Sequence, residues 1–300
     1  MKKHLLSIFV ALLSLLASAQ DKVEIDGIWY NLITEGNVAE VTFKGDSHDE
    51  YNEYSGHITI PATVNYEGAE YAVTSIGDMA LTYCSNVTSI TIPESVTSIG
   101  MDAFMYCSSL TSIIIPESVT DIGSYAFYEC NRLADITLSK GLKTIAHGAF
   151  SGCSSLTSIT LPENLTLIGG SAFSNCSSLT AVTIPKSIMS ITESAFSGCS
   201  SLSDVYCYAE KVPSTNANAF DDSYPEYATL HVPSSALGDY KRAKPWSSFG
   251  SIVALTDKEM NIEQLKNDNS QLTIYDLSGR RVEKAEKGIY IVDGRKVVIK

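Results

Sequence analysis

The chain has 300 residues, of which 44% are apolar and 18% charged, with 34 Asp and Glu against 21 Lys and Arg. That apolar share supports a packed core rather than a disordered chain, and the length suits one elongated domain or two compact ones. A formal charge of −13 sets the surface against nucleic-acid phosphates and against anionic membrane surfaces.

In chain order, the opening MKKHLLSIFVALLSLLASA has two lysines, an apolar run from Leu5 to Leu16 and an Ala17-Ser18-Ala19 ending. This predicts a secretory signal peptide over residues 1–19, cleaved after Ala19. The apolar run is too short to span a bilayer, so no integral membrane segment is expected after cleavage. Loss of Lys2 and Lys3 deepens the net charge to −15. The first cysteine is Cys84, which excludes an N-terminal lipid-modified cysteine.

From Cys84 onward one phrase recurs with a 23-residue period. Cys84, Cys107, Cys130, Cys153, Cys176 and Cys199 keep that interval, as do Ala-Phe pairs from Ala103-Phe104 to Ala195-Phe196 and a column from Ile99 to Ile191. Pro93, Pro116, Pro162 and Pro185 form another column, with Ser139 as its one departure. A fixed period of this size signals a solenoid. In LTSIIIP, Leu110, Ile113 and Ile115 are expected to point inward and Ser112 and Ile114 outward, giving one short strand per coil. The proline ends that strand because it has no N–H to donate. Val119 and Ile122 carry the chain back across the core, and Gly123 is expected to serve a turn that a Cβ would strain. Ala126, Phe127 and Cys130 fill the convex side. One coil buries too little to offset the ordering of its backbone, so the coils must stack. The strand phrase, from Ile58–Ile60 to Leu230–Val232, gives eight candidate coils, and the first carries a nine-residue insertion between Pro61 and Pro93. The inserted VNYEGAEYAV predicts a hairpin turning at Glu67-Gly68.

The pattern LxxIxIPxSVxxIGxxAFxxC over residues 58–232 resembles the BspA-like leucine-rich repeat family of bacterial surface proteins. The expected fold is therefore mainly β: a leucine-rich-repeat solenoid of 23-residue coils with a parallel β-sheet face. Asn164 in LPENL stands where many leucine-rich repeats carry a ladder asparagine, and Ser95, Ser118 and Ser187 replace it in other coils. Residues 20–57 resemble the family's N-terminal β cap. Residues 233–255 resemble its C-terminal cap, with Ser235 placed to start a short helix and Trp246, Phe249 and Ile252 to cover the last coil. Residues 256–270 read as a polar linker. Residues 271–300 read as three strands turning at Ser278-Gly279 and Asp293-Gly294, a small C-terminal β-module. This tail resembles the end of the type IX secretion sorting domains of Bacteroidetes, which implies a sorting signal. The alternative is a β-module that only stabilises the chain's end. The family resemblance implies an adhesin or binding scaffold, secreted or at the outer membrane and cell surface.

The cysteine ladder reads as buried free thiols acting as small apolar fillers. Neither CxxC nor CxxH ligand spacing is present, so no metal or other cofactor is expected. Cys207 occupies an inward strand column that elsewhere holds Ile or Leu. His48, with Asp46, Asp49 and Glu50, offers either a divalent-cation site or a solvated acidic loop, and His147 lies in the variable turn of its coil. There is no GxSxG elbow, no phosphate-binding glycine loop and no acid–base carboxylate pair on the strand face. No catalytic residue is therefore assigned, and the chain is read as a non-enzyme.

The candidate binding face is the outward strand surface: Ser89, Thr91, Ser112, Ile114, Asp135, Thr137, Ser158, Thr160, Thr183, Asp204 and Tyr206. Its hydroxyls can meet a peptide, a glycan or water, and they are also what solvated strands favour without a ligand. Tyr51, Tyr54, Tyr66, Tyr71, Tyr206, Tyr208, Tyr224 and Tyr227 are either sticky rims or cap packing. An ice-binding array is interrupted by Ile114, Asp135 and Tyr206. Two functions stand: non-enzymatic binding or adhesion to a host or bacterial surface protein or glycan, or a structural envelope or spacer role without a soluble ligand.

Overall fold

The computed structural model describes residues 21–45, 54–256 and 259, and in the C-terminal part the backbone of four strands within 274–299. The chain divides into two units, residues 1–253 and 254–300. The signal sequence and the His48 loop lie outside the described residues, as does Tyr51.

The first unit opens with three antiparallel strands, Asp21–Ile25, Ile28–Ile33 and Val38–Thr42. Val38–Thr42 then pairs in parallel with Ala69–Ile76, which in turn pairs in parallel with Ser98–Ile99 of the solenoid. The insertion forms the expected hairpin: Thr63–Tyr66 pairs antiparallel with Ala69–Ile76, and Tyr66 faces Ala69 across the turn. Glu67 and Gly68 both have positive φ (50° and 84°), as a two-residue turn matched to strand twist requires.

Each coil contributes two strands rather than the single one expected. The first column comprises Ser55–Thr59, Asn86–Thr91, Ser112–Ile114, Asp135–Thr137, Ser158–Thr160, Ala181–Ile184, Asp204–Cys207, Thr229–Val232 and Ser251–Ala254. Through the regular coils its register advances by one repeat period per coil, as in Ser112 with Asp135 and Ser158 with Ala181. The second column follows the proline turn and is short: Ser98–Ile99, Asp121–Ile122, Thr144–Ile145, Leu167–Ile168, Ser190–Ile191 and Ser214–Thr215. Two residues are too few to show an alternation in sequence, so the sequence presents this column only as a core crossing.

The inward columns lie as expected. Leu110, Ile113, Ile115, Val119 and Ile122 are buried, with equivalents in every regular coil. Ser118 and Ser187 donate to the carbonyls of Val96 and Leu165 in the preceding coil, each at 2.6 Å, so serine supplies the inter-coil ladder while Asn164 is exposed. Gly123 corrects its expected role. Its φ is not positive; instead an added Cβ would lie 2.5 Å from the backbone of Gly100 and Met101. The glycine is needed for the approach of two coils, not for a left-handed turn. Ala146 and Thr192 take the same column in other coils, so this closeness is local.

On the convex side the Ala-Phe pair has a role that burial alone does not reveal. The N–H of Phe104 donates to Ala126 O, that of Phe127 to Ala149 O, that of Phe150 to Ala172 O and that of Phe173 to Ala195 O, each at 2.8 Å. The carbonyl of Ala126 and the N–H of Phe127 belong to one peptide unit. The units therefore form a head-to-tail file along the solenoid, with every N–H directed toward the next coil. Two further files flank it, one through Asp102, Tyr125 and Gly148 and one through Tyr106, Glu129 and Gly152. The flanking donors have positive φ, which turns their peptide groups into line. Beneath the files Phe104, Phe127, Phe150, Phe173, Phe196 and Phe220 stack at 5.0–5.5 Å, with interplanar angles of 7–17°. This is the offset geometry that aromatic quadrupoles favour.

None of the seven cysteines is in a disulfide, and all are buried. They do more than fill space: the thiols of Cys107, Cys130, Cys153, Cys176 and Cys199 donate to the carbonyls of Leu81, Phe104, Phe127, Phe150 and Phe173 at 3.1–3.3 Å. Each links its coil to the one before. Cys207 is buried in its strand column and lies 3.2 Å from Tyr240 Oη. That hydroxyl donates to Ala209 O, which makes the thiol the donor.

The cap after the last coil carries a short helix, Leu237–Tyr240, preceded by Ala236 rather than Ser235 as its N-cap. Trp246 and Phe249 are buried against Phe220, both edge-on, and end the phenylalanine stack; Ile252 is half-buried. In the second unit Ile274–Tyr275, Arg281–Val282, Gly288–Val292 and Arg295–Ile299 form a four-stranded antiparallel sheet, one strand more than expected. Val292 pairs with Arg295 across a two-residue connection, the position of Asp293-Gly294; Ser278-Gly279 lies outside the described residues.

Two outcomes follow from this core. Phe150 is fully buried between two stacked rings, so Phe150→Ala is expected to cost about 3–5 kcal/mol in denaturant unfolding; a loss below about 1 kcal/mol contradicts the stack's role. Burial pushes the Cys130 thiol up from 9.0 to about 12. The unfolded thiol ionises first, so its stabilising share is intact below pH 9 and is lost as pH rises from 9 toward 12. The destabilisation caused by Cys130→Ala at neutral pH is expected to shrink by about 1.4 kcal/mol at pH 10, and an unchanged difference contradicts a neutral buried donor.

Candidate functional site

The solenoid aligns the outward strand side chains into two rows. Register places His57 beside Ser89, Ser112 beside Asp135, and Ser158, Ala181, Asp204 and Thr229 in succession. The second row holds Thr59 beside Thr91, Ile114 beside Thr137, and Thr160, Thr183, Tyr206 and His231 in succession. Ser112, Ile114, Asp135, Thr137, Ser158, Thr160 and Thr91 are exposed, and Ser89, Thr183, Asp204 and Tyr206 half-buried. All eleven sequence-selected residues thus share one face. Ile114, on the third strand of the column, is 71% exposed.

A histidine stands at each end, and sequence reasoning gave a role to neither. His57 Nδ1 lies 2.7 Å from Ser89 Oγ, and its Nε2 3.1 Å from Thr59 Oγ1. His231 Nε2 lies 3.0 Å from Asp204 Oδ1, and its ring stacks on Tyr206 at 4.3 Å. Ser203 donates to the other oxygen of Asp204 at 2.8 Å. The serine is thus directed at the carboxylate, whereas an activated nucleophile is directed at the imidazole. One coil is longer than the period here: Asp204 pairs with Thr229, whereas the period would set it beside Tyr227. The histidine–carboxylate pair is also diagonal, since Asp204 faces Thr229 and His231 faces Tyr206, so a reading along each row does not bring the two together.

Among the described residues no three His, Cys, Asp or Glu side chains converge as metal ligands, and no helix is long and apolar enough to cross a membrane. Most of the cap tyrosines prove to be packing. Tyr54, Tyr71 and Tyr208 are buried, and Tyr54 accepts the Trp29 N–H and donates to Thr42 O. Tyr66 is half-buried. Tyr224 and Tyr227 are 52% and 84% exposed; Tyr224 borders a surface cavity of about 630 Å³ with Phe220, Asp221 and Lys244.

Comparison with known proteins agrees with this geometry. Six copies of the BspA type leucine-rich repeat region match residues 74–203 and 121–240. A leucine-rich cell surface protein of Faecalibacterium prausnitzii A2-165 is 32% identical with a TM-score of 0.60, over 72% of this chain and 55% of that one. The chain thus spans little more than half of that protein. A leucine-rich repeat protein of T. pallidum is 26% identical with a TM-score of 0.56, over 65% of this chain and 86% of that one. One from Eubacterium ventriosum is 25% identical with a TM-score of 0.52, over 68% and 51% of the two chains. No curated protein matches. With its repeats matched from residue 74 to residue 240 and the same solenoid found in these bacterial proteins, the chain belongs to the BspA-type leucine-rich repeat family.

Proposed function

We propose that this chain is an exported, non-enzymatic binding protein of the bacterial cell surface, which contacts a protein or glycan partner through the hydroxyl-lined strand face. One observation carries the reading. Two rows of outward, mostly short side chains cross successive coils and include the exposed Ile114. An extended partner meeting such a face exchanges solvated hydroxyls for matched hydrogen bonds and buries the isoleucine. The signal sequence expected at residues 1–19 supports export, and the cell-surface description of the Faecalibacterium relative supports the location. The sorting role of residues 271–300 belongs to the same proposal, supported by their resemblance to a secretion sorting signal.

The test is a panel of surface and matrix proteins and glycans, bound by the chain and by the double variant Thr137→Arg/Thr160→Arg. Both sites are exposed, so folding is expected to survive. At least one partner is expected to bind more tightly than about 1 mM, with affinity reduced at least about tenfold in the variant. Absence of any such partner, or equal binding by the variant, contradicts the reading and favours a spacer. Deleting residues 271–300 is expected to release the protein from the cell surface, measured by fractionation with surface proteolysis; retention at the surface contradicts a sorting role.

A further inference from the structure

A second surface lies on the convex side, opposite in chemistry to the strand face. Tyr83 and Tyr106 stack at 4.9 Å, Tyr106 meets Tyr128 edge-on at 5.5 Å, and Tyr125 contacts both Tyr128 and His147. Tyr83 is 48% exposed, and Met101, whose N–H donates to Asp78, 44%. The patch is confined to the first regular coils. Where it has Tyr83 and Tyr106, later coils have Gly152, Asn175 and Gly198; where it has Tyr128 they have Ser151, Ser174 and Ser197.

The backbone makes this placement unexpected. Tyr83, Tyr106 and Tyr125 have φ of 57–59°, a left-handed conformation suited to Gly or Asn and costly for a bulky side chain. The same chain puts Gly148, Gly152, Asn175 and Gly198 at equivalent positions, and Met79, Asp102, Glu129, Ser171 and Ser194 at others, all with positive φ. The coil therefore folds without tyrosine there, so the backbone does not require the three rings.

Charge indicates what the surface takes. Between Lys44 and Arg132 the sequence has twelve Asp and Glu and no Lys or Arg. Asp78, Asp102 and Glu129 belong to this convex face. The Asp102 carboxyl is held above its ordinary range by burial and by the nearby Asp78, and Glu129 lies close enough to Tyr106 to affect its hydroxyl. Ring faces and carboxylates both attract cations, and a second copy of this face would be repelled. We propose that the convex tyrosine patch docks a Lys- or Arg-rich segment of a partner protein, with the basic side chains set over Tyr83, Tyr106 and Tyr128 and paired with Asp78, Asp102 and Glu129. This site is independent of the strand face.

Decalysine, labelled and titrated against the full chain at low salt, tests it. The variant Tyr83→Asn/Tyr106→Asn/Tyr125→Gly/Tyr128→Ser borrows the residues of later coils. It is expected to keep or raise the melting temperature while weakening decalysine at least about tenfold. Asp78→Asn/Asp102→Asn/Glu129→Gln is expected to weaken it similarly, whereas Glu67→Gln/Glu70→Gln/Glu94→Gln, with the same charge change elsewhere, leaves affinity within about twofold. Native-like decalysine binding by the tyrosine variant overturns the proposal, as does equal loss in the Glu67/Glu70/Glu94 variant. A fall in melting temperature in the tyrosine variant assigns the rings to packing and overturns it too, as does binding of neutral glycans that decalysine fails to displace.

Discussion

The file of peptide groups through the Ala-Phe pairs is the constraint on which the rest depends. Each unit accepts from the coil before and donates to the coil after, while the phenylalanine ring beneath it stacks in both directions. A coil can satisfy both neighbours only if its Ala-Phe pair sits at the same height as theirs. This holds the repeat period constant through the centre of the array and leaves variation to the ends. The nine-residue insertion enters at the first coil, where a hairpin takes it up. The step lengthens by one residue between Phe196 and Phe220, next to the cap. Two-fold satisfaction of every buried amide is what a solenoid offers in place of a closed globular core.

The cysteine column belongs to the same constraint. A thiol is small enough for the crowded convex core and still carries a donor, and each reaches the carbonyl of a residue in the coil before. Valine would fill similar space without the donor. Burial keeps the sulfurs protonated, Cys84 and Cys199 up to about 12 like Cys130. Five thiols in a row, Cys107 to Cys199, therefore act as neutral inter-coil links, a state unsuited to metal binding or nucleophilic attack, both of which need the thiolate.

Much of this was legible in the sequence because it repeats. The inward columns at Leu110, Ile113, Ile115 and Phe127, the inserted hairpin, and the common face of Ser89 through Tyr206 all follow from period and alternation. What was not legible has particular causes. The strand at Ser98–Ile99 is too short to alternate. Gly123 looks like a turn residue, and only the distance to Gly100 shows that it serves coil contact. Asp204 and His231 meet diagonally, from one row to the other. Tyr83, Tyr106 and Tyr125 are exceptions to the repeat, and a reading tuned to what recurs passes over them. In a repeat protein the regular positions build the scaffold and the departures give one coil an identity the others lack.

Native-state hydrogen exchange tests the central claim most directly. The amides of Phe104, Phe127, Phe150 and Phe173 are expected to be among the slowest in the chain, matching the core strands and opening only with the whole array. Exchange of these amides at the rate of the exposed loops, with protection confined to the strand columns, would contradict a fold held in register by its convex peptide file.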